Sequence, residues 1–337
     1  MRETLCKGVE MMWYDLSQLL SYNKILNFLI GQRGGGKSFN AKRWCVNDFI
    51  KNGKQFIWVR RYKTELKTIN TWFDDLKGEG MFEGHKMEVK GRTAYINGEV
   101  AGYFIALSTS QHEKSRPFPN VNKIVYDEFV IDEGAIRYLP HEVETFLSFM
   151  DTVIRNRDDV RALLIANNVS VTNPYFDFFG VRGDSEKRFV VKDDLIIEFY
   201  KSEDFKNERL KTRFGQLIKN TTYGEFSLDN KSLKDNQTFV EPKSANARFQ
   251  YYLKYNEMCF GVWRDYEGGK IYISRKYDAS GQGFSLTTND HEPNLLFIKD
   301  FKNYPSVKMI KRAYSLGVLY YDDLTVKSHF YNILKLL

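Results

Sequence analysis

The chain has 337 residues, enough for one large domain or two ordinary ones, and its 42% hydrophobic and 28% charged residues exclude disordered, collagen-like and membrane-embedded classes. Fifty Lys and Arg against 43 Asp and Glu give a net charge of +7, which permits a polyanionic partner without requiring one. Three widely spaced cysteines (Cys6, Cys45, Cys259) argue against a disulfide framework or zinc cluster, and no apolar run suits a membrane span or a secretory signal, so a cytosolic setting without a membrane partner is expected.

In chain order, 25–30 (ILNFLI) reads as a buried strand running into glycines, and 38–51 as a helix with Gly53 as its C-cap. Residues 56–59 read as a second buried strand and 64–77 as a second helix. Between 86 and 107, MEVK, TAYI and EVAGYFIAL read as β structure, with bends at Gly91-Arg92 and Asn97-Gly98. Residues 108–120 read as a polar surface loop, 123–126 and 161–166 as strands, and 141–154 as an amphipathic helix. Its apolar positions are Val143, Phe146, Leu147, Met150, Val153 and Ile154. Strands alternating with helices predict an α/β domain, a mostly parallel sheet with helices on both faces.

Past residue 200 the chain turns polar, and 206–235 reads as a linker with one short helix at most. The tail predicts strands at 247–255, 257–264 and 269–275, a helix at 306–316, a strand at 318–321 and a helix at 325–336. The expected organisation is therefore a domain over 1–205, a linker over 206–235 and a small α/β domain over 236–337.

Gly31-Gln32-Arg33-Gly34-Gly35-Gly36-Lys37-Ser38 satisfies G-x-x-x-x-G-K-[ST], the phosphate-binding Walker A pattern. Glycines let backbone N–H groups curl around phosphate oxygens, and the following helix adds the partial positive charge of its N-terminus. Lys37 suits the β- and γ-phosphates, and the Ser38 hydroxyl suits Mg²⁺. Ile124-Val125-Tyr126-Asp127-Glu128 is a strand ending in acids, the Walker B arrangement. Here Asp127 would hold Mg²⁺ and Glu128 would polarise an attacking water. A strand-end acid is often only a solvated cap, but the pairing with the glycine loop favours the catalytic reading. The guanine-reading N-K-x-D is missing, so ATP is the expected nucleotide.

Further polar residues lie at expected strand and helix ends. Arg33 inside the loop suits a γ-phosphate contact in cis, or is a solvated loop arginine. Asn167, after RALLIA, suits a sensor of the γ-phosphate or water, or is an ordinary turn residue. Arg155-Asn156-Arg157 closes the amphipathic helix, where cations are favourable anyway, yet a neighbouring subunit's arginine finger would be presented from such an end. Arg60-Arg61-Tyr62-Lys63 ends the second strand: one of these cations can hold Glu128 inactive through an ion pair, and Lys63 can meet a DNA phosphate. A solvated basic turn explains any single member equally well.

These features together resemble the DNA-packaging ATPases of small tailed phages of the phi-29 type, terminase-like members of the ASCE class of P-loop ATPase. ILNFLIGQRGGGKS, FIWVRRYKTEL, QHEKS, VYDEF, MDTVIRNR, NPYFDFF, KTRFG and YGEFSLDN carry the resemblance, from about residue 21 to 230. It implies a homo-oligomeric, pentameric ring on the portal vertex of a prohead in the cytoplasm of an infected bacterium, driving double-stranded DNA through its channel by ATP hydrolysis. It also implies that Arg155 acts in trans, with Lys114 reaching across the same interface, Arg60 pairing with the catalytic glutamate, and Lys63 gripping DNA. A structural RNA is a docking partner in some relatives, and the sequence leaves that open here.

The resemblance further implies an RNase H-like tail that has lost nuclease activity. Its acids (Asp265, Glu267, Asp278, Asp322, Asp323) do not assemble into a credible metal-binding set. Two other readings remain: a cellular ring-type DNA pump or helicase, and an ATP-dependent DNA-binding switch with little turnover.

Overall fold

The computed structural model describes residues 13–131, 138–167, 173–181, 187–221, 224, 238–297 and 304–336. The chain divides into two compact units, Met1–Leu233 and Lys234–Leu337.

The first unit runs α1 (Ser17–Ser21), β1 (Leu26–Gly31), α2 (Lys37–Asn52), β2 (Gln55–Arg60), α3 (Asp74–Gly78), β3 (Met87–Lys90), β4 (Thr93–Ile96) and β5 (Glu99–Ala106). It continues with β6 (Val121–Asp127), α4 (Glu142–Ile154), β7 (Arg161–Asn167), α5 (Pro174–Phe178), β8 (Phe189–Lys192), β9 (Leu195–Tyr200), α6 (Glu203–Lys211) and α7 (Arg213–Ile218). The nine strands form one sheet in the order β3-β4-β5-β2-β6-β7-β1-β9-β8. Its six middle strands are parallel, and antiparallel pairs close both edges. The mostly parallel α/β sheet expected from the alternating pattern is thus what this unit has.

Side-chain alternation along the strands builds two apolar layers, as a sheet covered on both faces requires. Phe28 and Ile30 of β1 enter a layer with Phe146, Phe149, Met150 and Val153 of α4. Leu29 points the other way, into a layer with Ala41, Cys45, Val46 and Phe49 of α2 and with Trp58 and Trp72. Because the middle strands are parallel, Gly31, Arg60, Asp127 and Asn167 all finish on one edge of the sheet, where open α/β folds bind ligands.

Several local expectations are corrected. Residues 64–77 are two 3₁₀ turns (Lys63–Leu66 and Ile69–Thr71) and the short α3 in place of one helix. The Glu65 carboxylate accepts from the Tyr62 backbone N–H at 2.6 Å, and Trp72 stacks on Phe56 with ring centroids 5.0 Å apart, so the segment is pinned before a continuous helix can form. Part of the expected 108–120 loop is a 3₁₀ helix, Leu107–Glu113. Strand β9, which lies beside the glycine loop's own strand, was not expected. Its apolar run is broken by Glu198, a carboxylate buried completely and paired with the Tyr14 hydroxyl at 2.5 Å and with Arg188. Two helices, α6 from Glu203 and α7, cover the start of the expected 206–235 linker in place of one. Ser202 and Thr212 cap them through the N–H groups of Phe205 and Gly215. Most of the remaining linker lies outside the described residues.

The second unit contains β10 (Arg248–Tyr255), β11 (Met258–Asp265), β12 (Lys270–Ser274), β13 (Gly283–Ser285), β14 (Leu296–Phe297), α8 (Pro305–Ser315), β15 (Leu319–Tyr321) and α9 (Leu324–Leu336). Its sheet order is β14-β13-β10-β11-β12-β15, antiparallel in the centre with parallel additions at both sides. Both helices bury one stripe, Val307, Ile310 and Ala313 of α8 with Val326, Phe330 and Ile333 of α9, against Leu253, Phe260, Val262 and Ile273 of the sheet. Short strands β13 and β14 were not expected from sequence. Among the described residues no helix is long and apolar enough to cross a membrane.

Candidate active site

The loop between β1 and α2 is a compact backbone cradle. Gly36 stands at φ +82°, the left-handed region that glycine adopts without strain, and it caps α2. A Cβ there would lie 2.3 Å from the Trp13 ring, so a side chain is excluded sterically as well. A Cβ on Gly31 would approach the Tyr200 carbonyl oxygen to 2.7 Å across the β1–β9 pairing. The helix start thus opens directly onto the loop, with its free N–H groups and partial positive charge available to an anion.

Lys37 is buried at the base of the loop. Its Nζ donates to the carbonyls of Gly31 (2.9 Å) and Gln32 (2.6 Å) and to Asn167 Oδ1 (3.3 Å). Asn167 reaches it because β7 lies beside β1, with Gly31 paired to Asn167. The loop is braced from outside as well. Tyr14 N–H donates to Gly35 O at 3.0 Å, Ser202 N–H to the Gln32 side chain at 3.0 Å, and Arg209 Nη1 to Arg33 O at 2.9 Å. These braces come from positions up to 176 residues away, and the sequence alone carries no signal for them.

Asp127 ends β6, two strands from β1 in the sheet, and Glu128 follows it in the turn. Ser38 Oγ donates to Asp127 Oδ1 at 3.0 Å, which brings a hydroxyl and a carboxylate to one point beside the loop. Two hard oxygen donors suit Mg²⁺, which keeps several waters and takes few protein ligands. Burial raises the Asp127 carboxyl above its ordinary range, Glu128 adds to the rise, and Arg60 and Ser38 oppose it. Only the ionised carboxylate can hold a divalent cation, so Mg²⁺-dependent nucleotide affinity should fall on acidification at a pH above the ordinary Asp pKa of ~3.9. Titrating a fluorescent ATP analogue with Mg²⁺ across pH should show a steeper limb in the native chain than in Asp127→Asn, where the nucleotide's own phosphate still titrates. A limb unchanged by the substitution would contradict it.

Arg60, at the end of β2, is the cation that meets both acids. Its Nη1 lies 3.2 Å from Asp127 Oδ2, and its Nη2 lies 2.6 Å from Glu128 Oε2 and 2.9 Å from Glu65 Oε1. Burial works against its charge, but Asp127, Glu128 and Glu65 outweigh it and raise its pKa. Glu65 was not anticipated as part of this cluster. Glu128 itself has φ +61°, a strained backbone for a non-glycine residue costing on the order of 1–3 kcal/mol, and its side chain is 57% exposed at the open edge of the site.

The other sequence candidates separate into two groups. Asn167 joins the phosphate cradle. Arg33 is exposed on the loop, and its carbonyl accepts from Arg209. Arg155 closes α4 at φ +50° and is exposed, and among the described residues its side chain makes no hydrogen bond or ion pair. Lys114, which ends the 3₁₀ helix Leu107–Glu113, and Lys63, which begins another, are both exposed and outside the cluster. Arg61, read only as one of three turn cations, is buried against Glu142 at the start of α4.

In the second unit, the acids singled out from sequence are engaged in hydrogen bonds, those of Asp265, Asp278 and Asp323 within local turns. Asp265 accepts from the N–H groups of Glu267 and Gly268, Asp278 from Ser280, Asp322 from Lys243 and Asp323 from Val326. Glu267 accepts from the Asn246 side chain. Among the described residues no group of three or more His, Cys, Asp or Glu is placed to hold a metal ion.

The chain is 44% identical over 325 residues to the DNA packaging protein of Bacillus phage phi29, covering 96% of this chain and 97% of that one. Among solved structures it is similar to the bacteriophage phi29 viral genome packaging motor assembly, at 44% identity and TM-score 0.82, covering 96% and 99% of the two chains. The crystal structure of the N-terminal domain of the phi29 DNA packaging ATPase matches at 50% identity and TM-score 0.54, covering 57% of this chain and 98% of that one. The first unit accordingly has the fold of a nucleotide-binding packaging ATPase. Residues 9–336 match the family model of the Podovirus DNA encapsidation protein (Gp16), and the chain belongs to that family.

Proposed function

We propose that this chain is the ATPase subunit of a viral DNA-packaging motor, which assembles as a homo-oligomeric ring on the portal of a prohead and drives double-stranded DNA inward. The observation that carries this reading is the convergence of the Gly31–Ser38 cradle, Asn167 and the Asp127–Glu128 pair on neighbouring strands, in a chain 44% identical to a phage DNA packaging protein. The pentameric ring, the prohead in the host cytoplasm and a structural RNA as a further docking partner belong to the same proposal.

The mechanism follows from the positions of the side chains. ATP phosphates enter the cradle, and Lys37 exchanges the Gly31 and Gln32 carbonyls for β- and γ-phosphate oxygens. Ser38 and Asp127 would hold Mg²⁺, which when bound supplies positive charge to the phosphate oxygens. Glu128 leaves Arg60 and accepts a proton from water as its oxygen attacks the γ-phosphorus, and the bond from that phosphorus to the β–γ bridging oxygen breaks. Arg60 thereby acts as a restraint that keeps the base engaged until the site is filled. Asn167 orients the γ-phosphate or the water, and Arg33 turns inward to the γ-phosphate in cis. Exposed Arg155, with Lys114, serves the neighbouring subunit's nucleotide. Lys63 meets DNA phosphates, a contact independent of sequence. The second unit is a vestigial RNase H-like domain without nuclease activity, a reading supported by the hydrogen bonds that engage its acids separately.

The test is steady-state ATP hydrolysis with and without linear double-stranded DNA at low salt. A rate that rises with DNA is the expected result. A rate indifferent to DNA would reduce the chain to an ATPase without a motor's coupling.

A further inference from the structure

Arg61 and Glu142 form a buried ion pair, 2% and 1% exposed, that is forked in geometry: Nε to Oε2 at 2.7 Å and Nη2 to Oε1 at 3.0 Å. The remaining guanidinium donors are aimed at backbone. Nη1 donates to the carbonyl of Glu128 at 3.2 Å, and Nη2 donates also to that of Phe129 at 2.6 Å. The guanidinium carbon sits 5.5 Å from the centre of the Tyr126 ring and 5.0 Å from that of Tyr138. Glu142 in turn accepts from the Tyr126 hydroxyl (2.9 Å), the Tyr175 hydroxyl (3.2 Å) and the Leu139 N–H (2.9 Å). No charge in this cluster lacks a partner, which a buried ion pair requires if it is not to be destabilising.

The elements that meet here are those carrying the reacting groups. The two carbonyls belong to the strained turn that presents Glu128. Glu142 is the first residue of α4, and Arg155 closes the same helix. The Arg61 carbonyl accepts from Ser108 N–H at 3.0 Å, near the start of the 3₁₀ helix Leu107–Glu113, which Lys114 follows. A lysine could supply charge at position 61 but not the planar fork that meets a carboxylate and two carbonyls together.

We infer that Arg61, locked by Glu142, is a positioning residue for hydrolysis: it fixes the peptide that aims Glu128 and ties that peptide to the helix ending in Arg155. The inference rests on the reading of Glu128 as the base. Arg60 holds the Glu128 side chain, whereas Arg61 holds its backbone, so the two adjacent arginines have separable effects.

The experiment measures kcat and the affinity for a fluorescent ATP analogue in the full-length Arg61→Lys, Glu142→Gln and Glu128→Gln chains and in the double variant Arg61→Lys/Glu128→Gln. Arg61→Lys should lower kcat about 10–100-fold, the loss that a displacement near 1 Å causes, while analogue affinity is unchanged. The double variant should be no slower than Glu128→Gln alone, because Arg61 acts through that side chain. A native kcat in Arg61→Lys, an equal loss of kcat and affinity, or a further loss in the double variant would overturn the proposal. Should Arg61→Lys lack a cooperative melting transition, Glu142→Gln carries the test: a lower kcat at unchanged affinity supports the role, and an unchanged kcat overturns it. Native hydrolysis by Glu128→Gln would remove the base reading first and this proposal with it, whereas an inactive Glu128→Gln beside a native Arg61→Lys removes only the positioning role.

Discussion

Glu128→Gln is expected to reduce hydrolysis about 10²–10⁴-fold, the range for loss of a positioned general base, while nucleotide binding persists. Glutamine is nearly isosteric and can still accept from Arg60 Nη2, now 2.6 Å away, but it cannot take a proton from water. The phosphate contacts come from other residues: Lys37 and the loop backbone lie on β1 and α2, and the Ser38–Asp127 contact does not involve Glu128. A single-turnover hydrolysis assay beside a binding titration separates the two effects. Hydrolysis within severalfold of the native rate would assign the base elsewhere or make the chain a switch. Joint loss of binding and turnover would mean that Glu128 supports the fold of the site.

Much of this site was legible in sequence because it is built from short contiguous patterns. Gly31 to Ser38 and Val125 to Glu128 each carry their own spacing signal, and the apolar runs beside them announce strands. The order of those strands is different in kind. That β7 lies between β1 and β6, and so carries Asn167 to Lys37, depends on a β1–β7 pairing between residues more than a hundred positions apart as well as on the nearer β6–β7 pairing. Strand β9 escaped notice because a buried glutamate looks like a surface residue until its partners, Tyr14 and Arg188, are known.

The same physics hid Glu142 and divided the three cations at the end of β2. Arg60, Arg61 and Lys63 look alike in sequence. In the fold the first meets three carboxylates, the second is sealed between two tyrosine rings, and the third is exposed. For 64–77, helix propensity yielded to tertiary contacts: Glu65 turned back to Arg60 and the Tyr62 N–H, and Trp72 and Phe73 were drawn into the apolar layer. Local pattern predicted that segment's polarity but not its path.

Arg155 presents the second large expected effect. It ends a helix whose other end is anchored by the buried Arg61–Glu142 pair, its backbone is held at φ +50°, and its side chain is exposed. An arginine so displayed from a rigid helix is suited to a nucleotide on a neighbouring subunit, where removal of such a group costs ~10³–10⁵ in rate. Arg155→Ala should therefore leave nucleotide affinity intact and nearly abolish turnover. A lone side chain serving only as a helix C-cap would give a small stability change and no kinetic one.

The central claim is that hydrolysis occurs at a site completed by a neighbour in a ring. It is tested most directly by mixing Arg155→Ala chains with Lys37→Ala chains and measuring ATPase activity in the presence of double-stranded DNA. Each variant alone should be nearly inactive. In the mixture, an intact phosphate site on an Arg155→Ala chain can face an intact Arg155 on a Lys37→Ala chain, so activity should reappear, rising with the fraction of interfaces that pair the two. A mixture no more active than its components would contradict the shared site and return Arg155 to its own subunit.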